Sequence, residues 1–211
     1  MDFKKVLGFL ERGMQHPLPG KEAHLQMSPN PVDMRRFDPK LPENYRKGAV
    51  LILFYPENEK AYFPLIKRPE YPGFHSGQIS FPGGKMDPED RDVAATALRE
   101  AYEEVGLDPD SVDVLGVLPI YTTGSAFLVS PVVALLRPDM PLRANANEVA
   151  SIFEVPLSFL MNPANHRRHA YERNGVQREW LSMPYVEGSQ ERFIWGATAG
   201  MLRNLYRFLV A

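Results

Sequence analysis

The stretch FPGGKMDPEDRDVAATALREAYEEVGL, residues 81–107, decides how the rest of the chain is read. Its last third, REAYEEVGL, places Glu100, Glu103 and Glu104 within one turn of a helix, because residues three and four apart are helical neighbours. Like charges at that spacing cost about 0.2–0.5 kcal/mol per pair. Glu103 and Glu104 also fall in the last turn before Gly106, which has the place of a C′ glycine. Carboxylates there oppose the helix dipole by about 0.3–1 kcal/mol each. Two local rules are broken together, and such conflicts concentrate at functional sites. Ala94, Ala97, Leu98, Ala101 and Val105 form a separate apolar stripe, expected to face a sheet.

The flanking residues turn an acidic face into a candidate site. Gly83-Gly84 lets backbone approach closely and turn sharply. Asp87-Pro88 reads as a helix start with proline at the first helical position, so the helix is expected over about 89–105. A glycine loop thus runs into a helix whose far end carries three carboxylates. Hard oxygen donors of that kind suit Mg²⁺ or Mn²⁺, which bind through a few carboxylates plus substrate phosphates. A bland alternative is a solvated acidic face, with Arg99 paired to Glu103 four residues on.

The same residues resemble the Nudix box, G-x5-E-x7-R-E-U-x-E-E-x-G-U, where U is apolar. Gly84, Arg99, Glu100, Ala101, Glu103, Glu104, Gly106 and Leu107 match it. Asp90 stands for the first glutamate, and eight residues instead of seven separate it from Arg99. Those departures are similar to the members that cleave coenzyme A, which have FPGGK-x-D-x-x-D and the extra residue before ALREA-x-EEVGL. Upstream, Arg68, Gly77 and Phe81-Pro82-Gly83-Gly84 keep that subgroup's spacing, whereas Ile66, Pro69 and Gly73 depart from it. The late segment IWGATA, residues 194–199, also resembles the subgroup.

The resemblance implies an α+β fold, an α/β/α sandwich around a mixed sheet, and a metal-dependent diphosphatase. Coenzyme A or an acyl derivative is the expected substrate, giving 4′-phosphopantetheine and adenosine 3′,5′-bisphosphate. ADP-ribose or a nicotinamide dinucleotide is the alternative. A non-catalytic metabolite sensor on this fold would be expected to lose box glutamates, and all three are present. The resemblance assigns Glu100, Glu103 and Glu104 to Mg²⁺ or Mn²⁺, with the Gly84 carbonyl as a further ligand. Which carboxylate acts as base stays open. Arg99 would orient a glutamate, and Asp90 would serve at the helix start or behind the ligands. Glu148 in NANEVASIFEV is the candidate for a later acid, as ligand or base, against a plain surface role; Glu154 is its weaker rival.

For the substrate, Arg68 and Lys85 are the expected phosphate contacts, beside Gly83 and Gly84. His75 reads as a structural hydrogen-bonding group. His166 and His169 in NHRRHA lack a zinc context; with Arg167 and Arg168 they form a basic cluster that could meet a distal phosphate or remain solvated. Trp180 and Trp195 read as core or interface anchors and not as base-stacking platforms.

The remainder of the chain fits one domain preceded by an arm. Phe3, Val6, Leu7, Leu10 and Met14 share one face of a short helix over 2–14. Six prolines between 17 and 42 mark an extended arm, so residues 1–46 are expected to pack over a domain spanning 47–211. GAVLILFY and AYFPLIKR, joined by PENEK, read as two strands, and GQISF as a short one. VDVLGVLPIY and FLVSPVVALL follow, then Glu148–Val155, a short helix from Pro156, a polar irregular stretch over 166–194 with a hairpin at Asn174-Gly175, and a final helix. The 211 residues, 44% hydrophobic, can bury a core unaided. A net charge of −2 argues against nonspecific nucleic-acid or membrane binding and leaves a small molecule as the partner. No cysteine is present, which fits a reducing cytoplasm, and residues 49–55, the longest apolar run, fall short of the ~20 a membrane span needs. The MDFKK start does not read as a secretory signal, and a homodimer is left open.

Overall fold

A computed structural model of the protein describes residues 2–14, 45–72, 76–137 and 141–210. The expected arm over 17–46 lies almost wholly outside them, as do Gly73 and His75. In chain order the elements are α1 (Phe3–Met14), β1 (Arg46–Glu57), β2 (Lys60–Lys67), β3 (Ile79–Ser80), β4 (Gly83–Lys85), α2 (Val93–Val105) and β5 (Val112–Val117). They continue with β6 (Tyr121–Thr122), β7 (Phe127–Leu136), β8 (Ser151–Pro156), α3 (Leu157–Leu160), β9 (Arg167–Arg173), β10 (Val176–Glu187), β11 (Gln190–Trp195) and α4 (Gly196–Val210). No helix among the described residues is long and apolar enough to cross a membrane.

β1 explains the architecture. Its apolar run is buried on both faces: Ile52 and Phe54 enter one core, while Ala49, Leu51 and Leu53 enter another. A strand covered on both sides needs helices above and below, which an uninterrupted hydrophobic run signals. Among the described residues, β1 to β8 form one mixed sheet with central order β3-β2-β1-β7-β5. β1 and β7 run parallel, and the other pairings are antiparallel. α2 covers one face through Ala97, Ala101 and Val105. On the other face lie α1, through Val6 and Leu10, and α4, through Ala199, Met201, Leu202 and Leu205. This is the expected α/β/α sandwich. Each Leu, Ile or Phe so buried contributes about 1.5–3 kcal/mol of transfer free energy.

Several local expectations need correction. α2 begins at Val93, with Asp92 in the extended region (φ −160°) accepting a 2.8 Å hydrogen bond from the Ala95 amide as its N-cap. Asp87-Pro88 instead opens a separate turn, closed by the Asp90 amide on the Asp87 carbonyl at 3.1 Å. VDVLGVLPIY is two strands, β5 and β6, interrupted at 118–120, and β5 itself bulges between Val114 and Gly116. Glu148 precedes β8 in a turn and does not open the strand. The stretch 166–194 is mostly ordered: β9, β10 and β11 make a three-stranded antiparallel sheet. Its hairpin does turn at Asn174-Gly175, with φ 55° and 72°. Met183 and Ile194 anchor that sheet in the core.

The glycine loop is held by the same central strand. β4 pairs with β1 at Gly48↔Lys85, Ala49↔Gly84 and Val50↔Gly83, and the Leu51 amide donates to the Pro82 carbonyl at 2.8 Å. Gly83 has φ +146°, and a Cβ there would collide with the Ala49 carbonyl and the Val50 backbone. Both obstacles are main chain of the sheet's middle, so neither can move aside. Gly83→Ala should therefore destabilise the protein by about 2–4 kcal/mol. A denaturant midpoint within error of wild type would show that the loop is free to rearrange.

Candidate active site

The small side chains of α2 set the site's geometry. Ala97 and Ala101 are fully buried, so the helix backbone lies close over β1 and β4. That closeness brings the Glu100 carboxylate against Gly84, where a Cβ would clash with it. One turn on, Glu104 is only 3% exposed and accepts a hydrogen bond from the Gly83 amide at 2.8 Å.

Arg99 ties this end of the helix to the loop. Its Nε and one terminal nitrogen reach Asp90 in a fork at 3.0 and 2.9 Å. That second nitrogen also reaches the Lys85 carbonyl at 3.0 Å. Its third nitrogen meets Glu100 at 3.1 Å and Glu103 at 3.3 Å. Asp90 additionally accepts from the Asp87 amide and the Thr96 hydroxyl, at 2.9 and 3.0 Å. The bonds from Arg99 hold its carboxyl well below the usual carboxylate range. A carboxylate engaged by four donors in this way serves as an anchor for Arg99.

Burial pushes Glu104 up to about 7, against the Gly83 amide and Arg68, and the charges of Glu100 and Glu148 raise it further. Glu100 is raised as well, first by burial, with Arg99 opposing and Glu103 and Asp87 adding to the rise. The Arg68 guanidinium stands 3.8 Å from Glu104 and 3.5 Å from the Gly83 carbonyl. Glu148 is exposed, yet it belongs to this cluster because its loop is fastened to the end of α2. The Arg143 and Asn145 amides donate to the Val105 and Glu104 carbonyls at 2.8 and 2.9 Å, and the Asn145 side chain donates to the Glu103 carbonyl at 3.1 Å. These are carbonyls that a helix end leaves unpaired. The Asn145 amide then holds Glu148 at 3.2 Å. Sequence reading misses Asn145, whose role depends on a contact 42 residues away.

Glu100, Glu103 and Glu104 therefore face two guanidinium groups, one already committed to Asp90, and Glu148 adds a further negative charge beside them. Among the described residues no three carboxylate or imidazole groups converge at ligand spacing. Arg99 draws Glu100 and Glu103 to one side, and the Gly83 amide draws Glu104 to another. The donors are hard oxygens with surplus charge in a half-buried setting, and that chemistry fits a divalent cation of the Mg²⁺ class.

A cleft of about 550 Å³ opens beside the carboxylates. Arg68, Gly83, Gly84 and Lys85 line one side; Phe127, Met201 and the segment Trp195–Thr198 line the other. Thr198 locks that far wall by donating to the Ile79 carbonyl at 2.9 Å. Trp195, expected as an anchor, is 42% exposed in this wall. Trp180 sits behind it, with its ring centroid 5.9 Å away. Other candidates stand apart from the cleft. Glu154 is exposed mid-strand on β8, where its charge is felt by Tyr55. Arg168 is paired with Glu179 at 2.6 Å, His169 meets Ser182 and stacks on Trp180, and His166 meets the Leu160 carbonyl and packs on Tyr206. The basic cluster of residues 166–169 thus divides among separate structural contacts, and neither Arg167 nor Arg168 lines the cleft.

A sequence model of the NUDIX domain matches residues 45–174. The chain belongs to the Nudix family. It is 39% identical over 176 residues to a protein named Nudix hydrolase NudL from Shigella flexneri serotype 5b, spanning 78% of this chain and 83% of that one. The NudL of Escherichia coli O1:K1 is 38% identical over 174 residues, spanning 77% and 82%. Among solved structures, the chain is similar to a Caenorhabditis elegans Ap4A hydrolase, with a TM-score of 0.45 and 21% identity over 54% of this chain and 81% of that one. This chain is a Nudix hydrolase, an enzyme of phosphoanhydride bonds in nucleoside diphosphate derivatives, and Nudix hydrolases generally use divalent cations such as Mg²⁺ or Mn²⁺.

Two outcomes test this geometry. A carboxyl raised in the folded state adds stability that is fully present below its ordinary value of 4.5 and is lost as pH rises through about 7. Without metal, Glu104→Gln should therefore stabilise the protein by about 1–3 kcal/mol near pH 8, and the gain should vanish below about pH 4.5. Denaturant unfolding at both pH values checks this, and a pH-independent difference would rule out titration as the cause. Asp90→Asn removes the charge that anchors Arg99 without changing its shape. Turnover should fall about 10–100-fold, measured as kcat on any diphosphate substrate; an unchanged kcat would mean that Arg99 holds its place unaided.

Proposed function

We propose that the protein is a coenzyme A diphosphatase. The carrying observation is the placement of the IWGATA segment. Residues that resemble the coenzyme A-cleaving members, Trp195 to Thr198, line the cleft opposite Gly83-Gly84. Sequence features from two distant parts of the chain thereby meet across one cavity. The lack of cysteine supports a cytoplasmic setting.

In this reading Glu100, Glu103 and Glu104 hold Mg²⁺ or Mn²⁺, together with the Gly84 carbonyl and Glu148. A cation there, when bound, withdraws charge from the diphosphate and acidifies the attacking water. Arg68 stands at the edge of the cleft, where its guanidinium neutralises a non-bridging phosphate oxygen by charge-assisted hydrogen bonding. Lys85 adds a second, more exposed cation. Bare backbone at Gly83 and Gly84 lets the diphosphate approach the helix end without a Cβ in the way. Arg99 keeps Glu100 and Glu103 aimed and does not touch the substrate. Water adds to one phosphorus, the bridging P–O bond breaks, and the water proton passes to a carboxylate of the cluster. Glu148, exposed and held by Asn145 beside the cluster, is the group suited to that transfer where it is not itself a ligand.

Departures at Ile66, Pro69 and Gly73 support loose substrate selection, because the subgroup's second upstream arginine is replaced by glycine. Coenzyme A, dephospho-coenzyme A, ADP-ribose and a nicotinamide dinucleotide should be compared with each metal, with products identified by mass. Coenzyme A should be cleaved, and its kcat/KM should exceed that of dephospho-coenzyme A by no more than about tenfold, or about 1.4 kcal/mol. Excess chelator should abolish turnover. A best rate on ADP-ribose would reject the coenzyme A assignment and leave the general diphosphatase.

A further inference from the structure

A second cavity, of about 330 Å³, adjoins the catalytic cleft. The two share Gln78, Ile79 and Trp195, so they form one trough that runs along β3 away from the glutamates. Its far part is walled by the start and end of β11, at Gln190, Arg192, Phe193 and Trp195. These residues follow the segment matched by the family model, which ends at residue 174.

The aromatic side chains of this wall are unusually open to solvent. Trp195 is 42% exposed and Phe193 40%. Large rings left open beside a catalytic cleft mark a binding surface. They are also held in place. Trp180 meets Trp195 edge to face at 5.9 Å and 75°, meets Phe193 at 6.0 Å and 74°, and is itself stacked on His169 at 4.2 Å and 19°. His169 is fixed by Ser182 at 2.6 Å. A braced ring loses little rotamer freedom when a ligand lands on it, which is what a binding platform requires.

The charges decide what kind of group the compartment takes. Lys67 is paired with Glu70 at 3.0 Å, and Arg192 is paired with Glu187 at 2.9 Å and lies over the Phe153 ring. Glu191 adds a carboxylate to the lining. A second phosphate would meet two compensated cations and one further negative charge. A neutral planar heterocycle would meet an open ring and would need no charge to neutralise it.

We propose that Trp195, flanked by Phe193, is the platform on which the nucleobase of the substrate stacks, and that this compartment selects for the base and not for a phosphate on its ribose. The proposal rests on the reading of the enzyme as one that acts on nucleoside diphosphate derivatives, and it holds whichever of them is cleaved. It also assigns substrate selection to a wall that lies outside the matched Nudix segment.

Binding of adenosine 5′-monophosphate and of inorganic pyrophosphate to the full-length protein tests it by calorimetry, with no turnover and no coenzyme A required. Trp195→Ala should weaken the nucleotide at least about tenfold, and Trp195→Phe should restore most of that loss. Pyrophosphate affinity should be the same in all three proteins. In steady state the loss should appear in KM. Adenosine 3′,5′-bisphosphate should bind no more than about threefold tighter than the 5′-monophosphate, since the compartment offers no uncompensated cation among the described residues. Equal losses of nucleotide and pyrophosphate in Trp195→Ala would show a collapsed cleft and overturn the proposal. Unchanged nucleotide affinity with altered sedimentation would overturn it too, assigning the aromatic surface to a protein contact. A protein that binds the nucleotide as described yet leaves coenzyme A intact would retain the platform and reject only the substrate.

Discussion

The fork of hydrogen bonds from Arg99 to Asp90, at 3.0 and 2.9 Å, joins the segment before α2 to the helix itself. Through its remaining donors the same guanidinium reaches the Lys85 carbonyl on β4 and the carboxylates of Glu100 and Glu103. Sheet edge, loop and helix therefore share one charged node, and the directions of two glutamates follow from it. Planar, always charged and rich in donors, arginine is suited to that task where lysine would not be. The extra residue between Asp90 and Arg99 places the acid in the loop, two residues ahead of the N-cap, and the shorter side chain meets the guanidinium from outside the helix.

Around this node the protein tolerates a local electrostatic conflict. Carboxylates crowd a helix C-terminus whose own dipole repels them, and Glu104 is buried besides. The compensating free energy comes from elsewhere: Ala97, Ala101, Val105 and Leu107 are fully or almost fully buried against β1 and β7, and packing of that quality fixes the helix whatever its polar face prefers. Loop 143–148 then uses the helix-end carbonyls as docking points and adds one more acid. A cation would relieve the whole group at once, which is how an arrangement unfavourable in isolation becomes a preorganised binding site.

How much of this is legible in the sequence varies with the range of the interaction involved. The helix, its apolar stripe and its closing glycine depend on neighbours within a few residues, and periodicity locates them. The two-faced burial of β1 is equally visible, since an uninterrupted apolar run of that length leaves no polar face for water. The start of α2 is displaced from its expected place because Asp87-Pro88 is a strong local signal whose following acid is taken by a residue further along. The three-stranded sheet over β9 to β11 is hidden because its strands carry many charges among their aromatics, and Met183 and Ile194 are its deeply buried apolar residues. Trp195 defies expectation for a related reason: tryptophan is usually buried, and only the surrounding walls reveal that this one faces a cavity. Asn145 leaves no pattern at all, since nothing local distinguishes it from any loop asparagine.

The two hydrophobic clusters that flank β1 have a bearing on how this enzyme could diverge. α2, which carries the glutamates, is rooted in one cluster, and α4, which follows Trp195 and lines the opposite side of the cleft, is rooted in the other. Substitutions in separate, non-touching sets of side chains combine almost additively. The wall proposed to recognise the ligand can therefore be reshaped, residue by residue, at little risk to the helix proposed to carry the hydrolytic carboxylates. On that proposal, a central strand buried on both faces acts as a firewall between chemistry and selectivity, and leaves a lineage free to change what it cleaves while keeping how it cleaves.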